Sequence, residues 1–251
     1  MVEKKVVLIT GAASGIGRDT AVAFAEKGAT VVVSDVQKEG LDETADLIQK
    51  DGGEVTAIIT DVSKEEEVKS MIDKIVEKYG RLDAACNNAG VGGVSAATAD
   101  YTSEQWDHVL NINLKGQWLC MKYQIPVMLQ NKGGSIVNVA SILGTVGFAN
   151  APAYVASKHG LVGLTKAAAL EYSAKGIRVN AIAPAFIETP MLEQAGLTTD
   201  PEMKKMLVGL HPIGRLGKPR EVADAIVWMA SEEASFVTGH TLLVDGGYIS
   251  R

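Results

Sequence analysis

Short apolar runs and longer amphipathic stretches alternate along this chain. The runs at 6–9 (Val-Val-Leu-Ile) and 30–33 (Thr-Val-Val-Val) are continuous, with no polar residue at every second position. Such β-branched runs read as strands buried on both faces, which implies a parallel sheet covered by helices. Further strands are predicted at 54–59, 82–86, 134–140, 177–182 and 241–244. Helical patterns fall between them: from the turn after the first run through Gly28, then 39–50, 64–79, 103–129, 153–174 and 219–230. Ser63 is placed to N-cap the third helix with Glu66 in the capping-box position, and Gly80 to stop it. Pro126 marks a kink or an end in the fourth, and Pro219 opens the last. Strands alternating with helices in this way predict a doubly wound α/β fold. The segment 185–212 breaks the alternation, being polar and mixed with two short helical patterns, and reads as a mobile substrate lobe. With no linker or low-complexity tract in view, 1–251 reads as a single domain.

Composition narrows the function classes. The net charge is −6 and there is no long basic run, which speaks against nucleic acid or an anionic membrane surface as partner. No apolar run is long enough to span a bilayer, and Met1-Val2-Glu3-Lys4-Lys5 leads straight into the first strand without a signal-peptide core. The expected location is the cytoplasm. Cys86 and Cys120 lack C-x-x-C spacing and read as small buried hydrophobes. His108, His159, His211 and His240 have no ligand spacing and read as structural, so no metal is expected.

Between the first strand and helix lies Thr10-Gly11-Ala12-Ala13-Ser14-Gly15-Ile16-Gly17. Glycines here permit a tight turn, close approach of backbone to a pyrophosphate, and close helix–strand packing. The following helix N-terminus offers N–H groups and a positive dipole end to phosphate. Gly11, Ser14, Gly15, Ile16 and Gly17 are therefore candidate dinucleotide contacts. The spacing is G-x-x-x-G-x-G, unlike G-x-G-x-x-G, but the strand–turn–helix context the motif requires is present. Asp35 ends the second strand, eighteen residues beyond Gly17. There a carboxylate can accept hydrogen bonds from an adenosine ribose diol and would repel a 2′-phosphate. No cation stands at Ser14 or Val36 to offset that repulsion, so NAD is favoured over NADP.

Tyr154 and Lys158 are four apart in a helical segment, so both side chains leave one face. A phenol is a poor acid at neutral pH, and a nearby ammonium stabilises its phenolate. The pair is a candidate proton-transfer device. Alone it is weak evidence, since Y-x-x-x-K also occurs on solvated helix faces.

Together, Thr10-Gly11-x-x-x-Gly15-x-Gly17, Asp61-Val62, Asn87-Asn88-Ala89-Gly90, Asn113, Ser141, Tyr154-x-x-x-Lys158, Pro184 through Thr189 and Asp245-Gly246-Gly247 resemble the compact, single-domain branch of the short-chain dehydrogenase/reductase family. The resemblance covers nearly the whole chain. It implies a Rossmann-like sheet of seven parallel strands, order 3-2-1-4-5-6-7, with helices on both faces. It implies Tyr154 as general acid/base and Lys158 as the group that depresses the Tyr154 pKa and holds the nicotinamide ribose. Ser141 would orient the substrate oxygen, and Asn113 would hold a water linking Lys158 to solvent. Asp61 and Val62 would contact adenine. Asn87, Ala89 and Gly90 would line the cofactor, and Pro184, Ile187 and Thr189 its nicotinamide end. Asn88 reads as a turn residue. Ala185 departs from the family, which usually has glycine after Pro184.

The implied activity is reversible hydride transfer between NAD(H) and a carbonyl or secondary alcohol. The walls expected at 91–94, 142–148 and 185–208 are mostly small or apolar, with Phe148, Phe186, Met191 and Met206 as large surfaces. No Arg or Lys cluster awaits an anion, so a small uncharged alcohol or ketone is the expected substrate. The alanine-rich helix at 153–174 and the region 236–247 would lie at the interfaces of a homotetramer, although those alanines could equally pack within their own subunit. Two other readings stay open: a dinucleotide-binding regulatory module without catalysis, and an epimerase or dehydratase using the cofactor transiently.

Overall fold

The computed structural model describes residues 4–250; residues 1–3 and 251, the ends of the expected domain, lie outside the described residues. Strands β1 (Val6–Thr10), β2 (Thr30–Asp35), β3 (Val55–Ile59), β4 (Ala84–Asn87), β5 (Gly134–Val139), β6 (Ile177–Pro184) and β7 (Thr241–Val244) form one sheet. Its order is β3-β2-β1-β4-β5-β6-β7 and every pairing is parallel, as the family resemblance implied.

The continuous apolar runs have their reason in the two faces of this sheet. Val7, Ile9, Val31 and Val33 point to one face, against α1 (Gly15–Glu26), α2 (Lys38–Lys50) and α9 (Pro219–Ala230). Val6, Leu8 and Val32 point to the other, against α3 (Glu65–Tyr79), the later helix α5 (Gln117–Gln130) and α6 (Pro152–Tyr172). Because successive strand residues alternate faces, both sets must be apolar when both faces are covered.

Two helix expectations need correction. The third helix starts at Glu65 with Lys64 at its N-cap and no side-chain cap. Ser63 is occupied elsewhere: its hydroxyl and its N–H both donate to Asp61 Oδ1. Gly80 does end that helix, in the left-handed conformation at φ 69°. The single helix expected at 103–129 is α4 (Ser103–Leu110) joined to α5 by a π-helical segment, Asn111–Gly116. The irregularity thus falls at Asn113 and not at Pro126, which lies inside α5. Segments of π-helix often mark functional sites, and this one carries a candidate residue.

The stretch after β6 holds α7 (Pro190–Gln194) and α8 (Pro201–Gly209). A parallel bridge from Ile187 to Gly217 ties its base to the body of the domain. Ala185 fits without strain: its N–H bonds to the Val244 carbonyl, and it is not among the residues with positive φ.

Candidate active site

All the candidate residues except Asn113, Tyr154 and Lys158 sit at or just after the carboxyl ends of β1 to β6. In a parallel sheet these ends share one edge, and the order reverses direction between β1 and β4, where such folds place their ligand crevice. The π-helical segment brings in Asn113, and α6 brings in Tyr154 and Lys158.

The glycine turn is held from several sides. A Cβ on Gly17 would stand 2.1 Å from the Gly11 carbonyl oxygen, so only glycine lets α1 begin this close to β1. Asn88 Nδ2 donates to the carbonyls of Thr10 and Gly11, which gives it the turn role read from sequence. No side chain caps the first turn of α1, so its N–H groups are available to an anion. Asp35 Oδ2 accepts from the Ala13 N–H at 3.0 Å, and Oδ1 from the Gln37 N–H at 3.0 Å. Asp35 is therefore fixed to the turn itself. Arg18, the nearest cation in the turn, is tied down by Glu43 (2.7 Å), Thr44 (3.0 Å) and the Ala13 and Gly40 carbonyls.

At the next strand end, Asp61 accepts two hydrogen bonds from Ser63. Burial raises this carboxyl, but those bonds and the nearby Lys64 charge outweigh it and hold it below the ordinary value. Asn87 ends β4. Its amide is fully buried and bonds to Gln124 on α5 and Asn138 on β5, so only its main chain is left to line a cofactor. The same holds for Ile187, 4% exposed and packed in the core.

Asn113 is fully buried and clamps the loop after β4: its amide both donates to and accepts from the Val91 backbone, each at 2.8 Å. It also lies 3.4 Å from the Ser157 hydroxyl on α6. Ser141, at the end of β5, accepts from the Leu143 N–H, and its side chain acts on the Tyr154 phenol in the direction that lowers its pKa. Lys158 is 3% exposed, with Nζ 5.5 Å from the Tyr154 ring centre.

Burial dominates the electrostatics of the pair. Burial pushes the Tyr154 phenol above its ordinary value, Ser141 opposing it, and Lys158 does not enter. The Lys158 ammonium is aimed at the Val139 carbonyl, 2.8 Å away, and burial lowers it to about 7. No sequence signal marks Val139 as the lysine's partner, because the group is a main-chain carbonyl.

Cys86 and Cys120 are free and buried, and burial pushes both thiols up. Among the described residues no group of three or more His, Cys, Asp or Glu is placed to hold a metal. None of the described helices is long and apolar enough to cross a membrane.

Residues 11–249 match the family model described as enoyl-(acyl carrier protein) reductase. The chain is 44% identical to a cyclohexanol dehydrogenase of Acinetobacter sp. (strain SE19), over 98% of this chain and 96% of the relative. Its fold superposes on the crystal structure of levodione reductase with a TM-score of 0.96, 37% identity and 98% of each chain covered. A solved chain from Agrobacterium tumefaciens with bound NADP gives a TM-score of 0.92 and 37% identity, over 100% of this chain and 98% of that one. With its seven-stranded sheet, its glycine turn and its serine–tyrosine–lysine grouping, the chain belongs to the short-chain dehydrogenase/reductase family.

Proposed function

We propose that the protein is an NAD-dependent oxidoreductase that interconverts a small uncharged secondary alcohol and its ketone. The observation that carries this is the grouping of buried Ser141, Tyr154 and buried Lys158, with Nζ 5.5 Å from the Tyr154 ring centre, at the sheet edge that also presents the glycine turn. When bound, the nicotinamide accepts or supplies hydride.

The chain's own groups do the rest. The first turn of α1 holds the pyrophosphate, and Asp35 accepts hydrogen bonds from the adenosine ribose. Ser141 donates to the substrate oxygen. Tyr154 passes the proton: as a neutral phenol it gives it to the alkoxide in reduction, and as phenolate it takes it in oxidation. Positioned acid–base groups contribute about 10²–10⁴-fold, and each oriented donor at a developing oxyanion about 3 kcal/mol. Lys158 turns its charge from the Val139 carbonyl to the nicotinamide ribose and the phenolate. Asn113 holds the Val91 loop and passes protons outward through a water.

NAD is favoured over NADP because Asp35 opposes a 2′-phosphate and Arg18 is spent on Glu43 and Thr44. The NADP held by the A. tumefaciens chain is the opposing observation. A cyclic alcohol or ketone agrees with the relatives' names and with the apolar cluster around Phe148, Phe186 and Leu207. An acyl-carrier thioester agrees with the family description but finds no cationic cluster here. A homotetramer is supported by the groove of about 430 Å³ lined by Leu110, Leu114, Trp118 and Leu164, and by fully exposed Phe236 and exposed Leu170. Ala168 and Ala169, in contrast, are buried within their own subunit. A cytoplasmic location accords with this soluble-enzyme reading.

The test is a panel of secondary alcohols with NAD, followed by NADH absorbance, on the wild type and on Tyr154→Phe. Turnover that vanishes in the variant while NADH fluorescence still reports binding is the expected result. Near-wild-type turnover in Tyr154→Phe would remove the assignment. NADH binding with no turnover of any alcohol or ketone would favour the regulatory reading.

A further inference from the structure

We propose that His211 accepts a hydrogen bond from a second hydroxyl of the substrate, so that the preferred substrate is a diol or hydroxy ketone. This deepens the alcohol/ketone reading above and rests on it for the first oxygen. His211 follows α8, at the end of the stretch that closes over the sheet edge, and is 4% exposed. Its Nδ1 lies 2.8 Å from the Leu207 carbonyl. A carbonyl only accepts, so Nδ1 carries the hydrogen, and Nε2 of the neutral ring is left with a bare lone pair. That Nε2 is buried and has no hydrogen-bond partner among the described residues. Buried polar atoms are nearly always paired, and an orphaned acceptor is matched by a donor.

The surroundings indicate where the donor comes from. The His211 ring packs against Phe186 at 5.9 Å and Tyr248 at 5.5 Å, and Phe186 reaches Phe148 at 5.9 Å. Phe148, Phe186 and Tyr248 share one apolar cluster with Tyr154 and with Ile142 and Leu143, the two residues after Ser141. The His211 ring, with its one unpaired acceptor, thus packs on two aromatic members of the cluster that contains the proton donor. Ligand pockets of this kind are apolar, with few polar groups that set orientation. Ser141 and Tyr154 take the reacting oxygen, and His211 takes a hydroxyl elsewhere on the same molecule. A bare lone pair matches O–H; it does not match a carboxylate or a second ketone.

The test compares cyclohexanol with the 1,2-, 1,3- and 1,4-cyclohexanediols in the full-length enzyme with NAD. At least one diol is expected to exceed cyclohexanol in kcat/KM by about tenfold, the equivalent of ~1.4 kcal/mol. His211→Gln, which keeps an acceptor near the Nε2 position, retains that ratio. His211→Asn, which keeps only a group near Nδ1, brings it close to one. A second readout needs no turnover: the ¹⁵N resonance of Nε2, in protein labelled at histidine, moves when the diol is added and stays when cyclohexanol is. Turnover without any diol preference, a preference that survives His211→Asn, or an unmoved Nε2 resonance overturns the inference and leaves the oxidoreductase reading standing. An Nε2 response to diol with no turnover of any alcohol does the reverse.

Discussion

Replacing Lys158 with methionine is expected to make the protein more stable while abolishing turnover. Lys158 is 3% exposed and its ammonium titrates at about 7, against 10.5 for an ordinary lysine. The folded state therefore binds this proton less tightly than the unfolded chain. Between those two values the unfolded state carries more protons, so the group's contribution to stability rises with pH. Below pH 7 the full penalty is present, about 3.5 units at 1.36 kcal/mol each, or ~5 kcal/mol. By pH 9 it has shrunk to ~2 kcal/mol. Methionine carries no charge and removes it, at the cost of the hydrogen bond to the Val139 carbonyl, about 1–3 kcal/mol. The expected net gain is ~2–4 kcal/mol at pH 6 and close to zero at pH 9. Urea denaturation of wild type and Lys158→Met at both pH values measures this. A stability difference that does not change with pH, or a variant less stable at pH 6, would refute the reasoning. On the proposed function, so costly a residue is tolerated at this position because activity there opposes stability.

The remaining predictions concern the cofactor and the acid/base. Asp35→Ser should lower the NAD-to-NADP ratio of kcat/KM by tenfold or more, because the charge facing a 2′-phosphate is gone while Arg18 stays paired with Glu43; an unchanged ratio speaks against Asp35 as the ribose reader. Since burial holds the Tyr154 phenol above its ordinary value, alcohol oxidation should climb with pH through the alkaline range and ketone reduction should fall, as read from initial rates in the two directions. A flat oxidation profile would remove Tyr154 as the base.

Much of the site can be read along the chain because it depends on spacing. Tyr154 and Lys158 share a face once the segment is helical, and Gly17 is required wherever a helix starts against its own preceding turn. Asp35 is legible because it ends a strand at a set distance from that turn. What spacing does not show is which partner each polar side chain takes. The Asn87 amide is taken by Gln124 and Asn138, which leaves its main chain for the expected cofactor contact. Ser63 looks like a cap until Asp61 takes its hydroxyl. His211 carries no mark in the sequence of the Phe186 and Tyr248 rings that pack on it.

By itself, then, the sequence determined the alternation of elements, the faces each must bury, and the chemical types gathered at the strand ends. Period and turn chemistry are local properties, so they survive in one dimension. Only the tertiary structure decided how those groups are charged and paired. Burial raises Tyr154 and lowers Lys158, and a main-chain carbonyl on β5 competes for the ammonium. Desolvation depends on everything packed around a group, and that environment is assembled from strands and helices distant in the chain. The Tyr154–Lys158 pair is the plainest case: its spacing is written in five residues, its electrostatics in the whole fold.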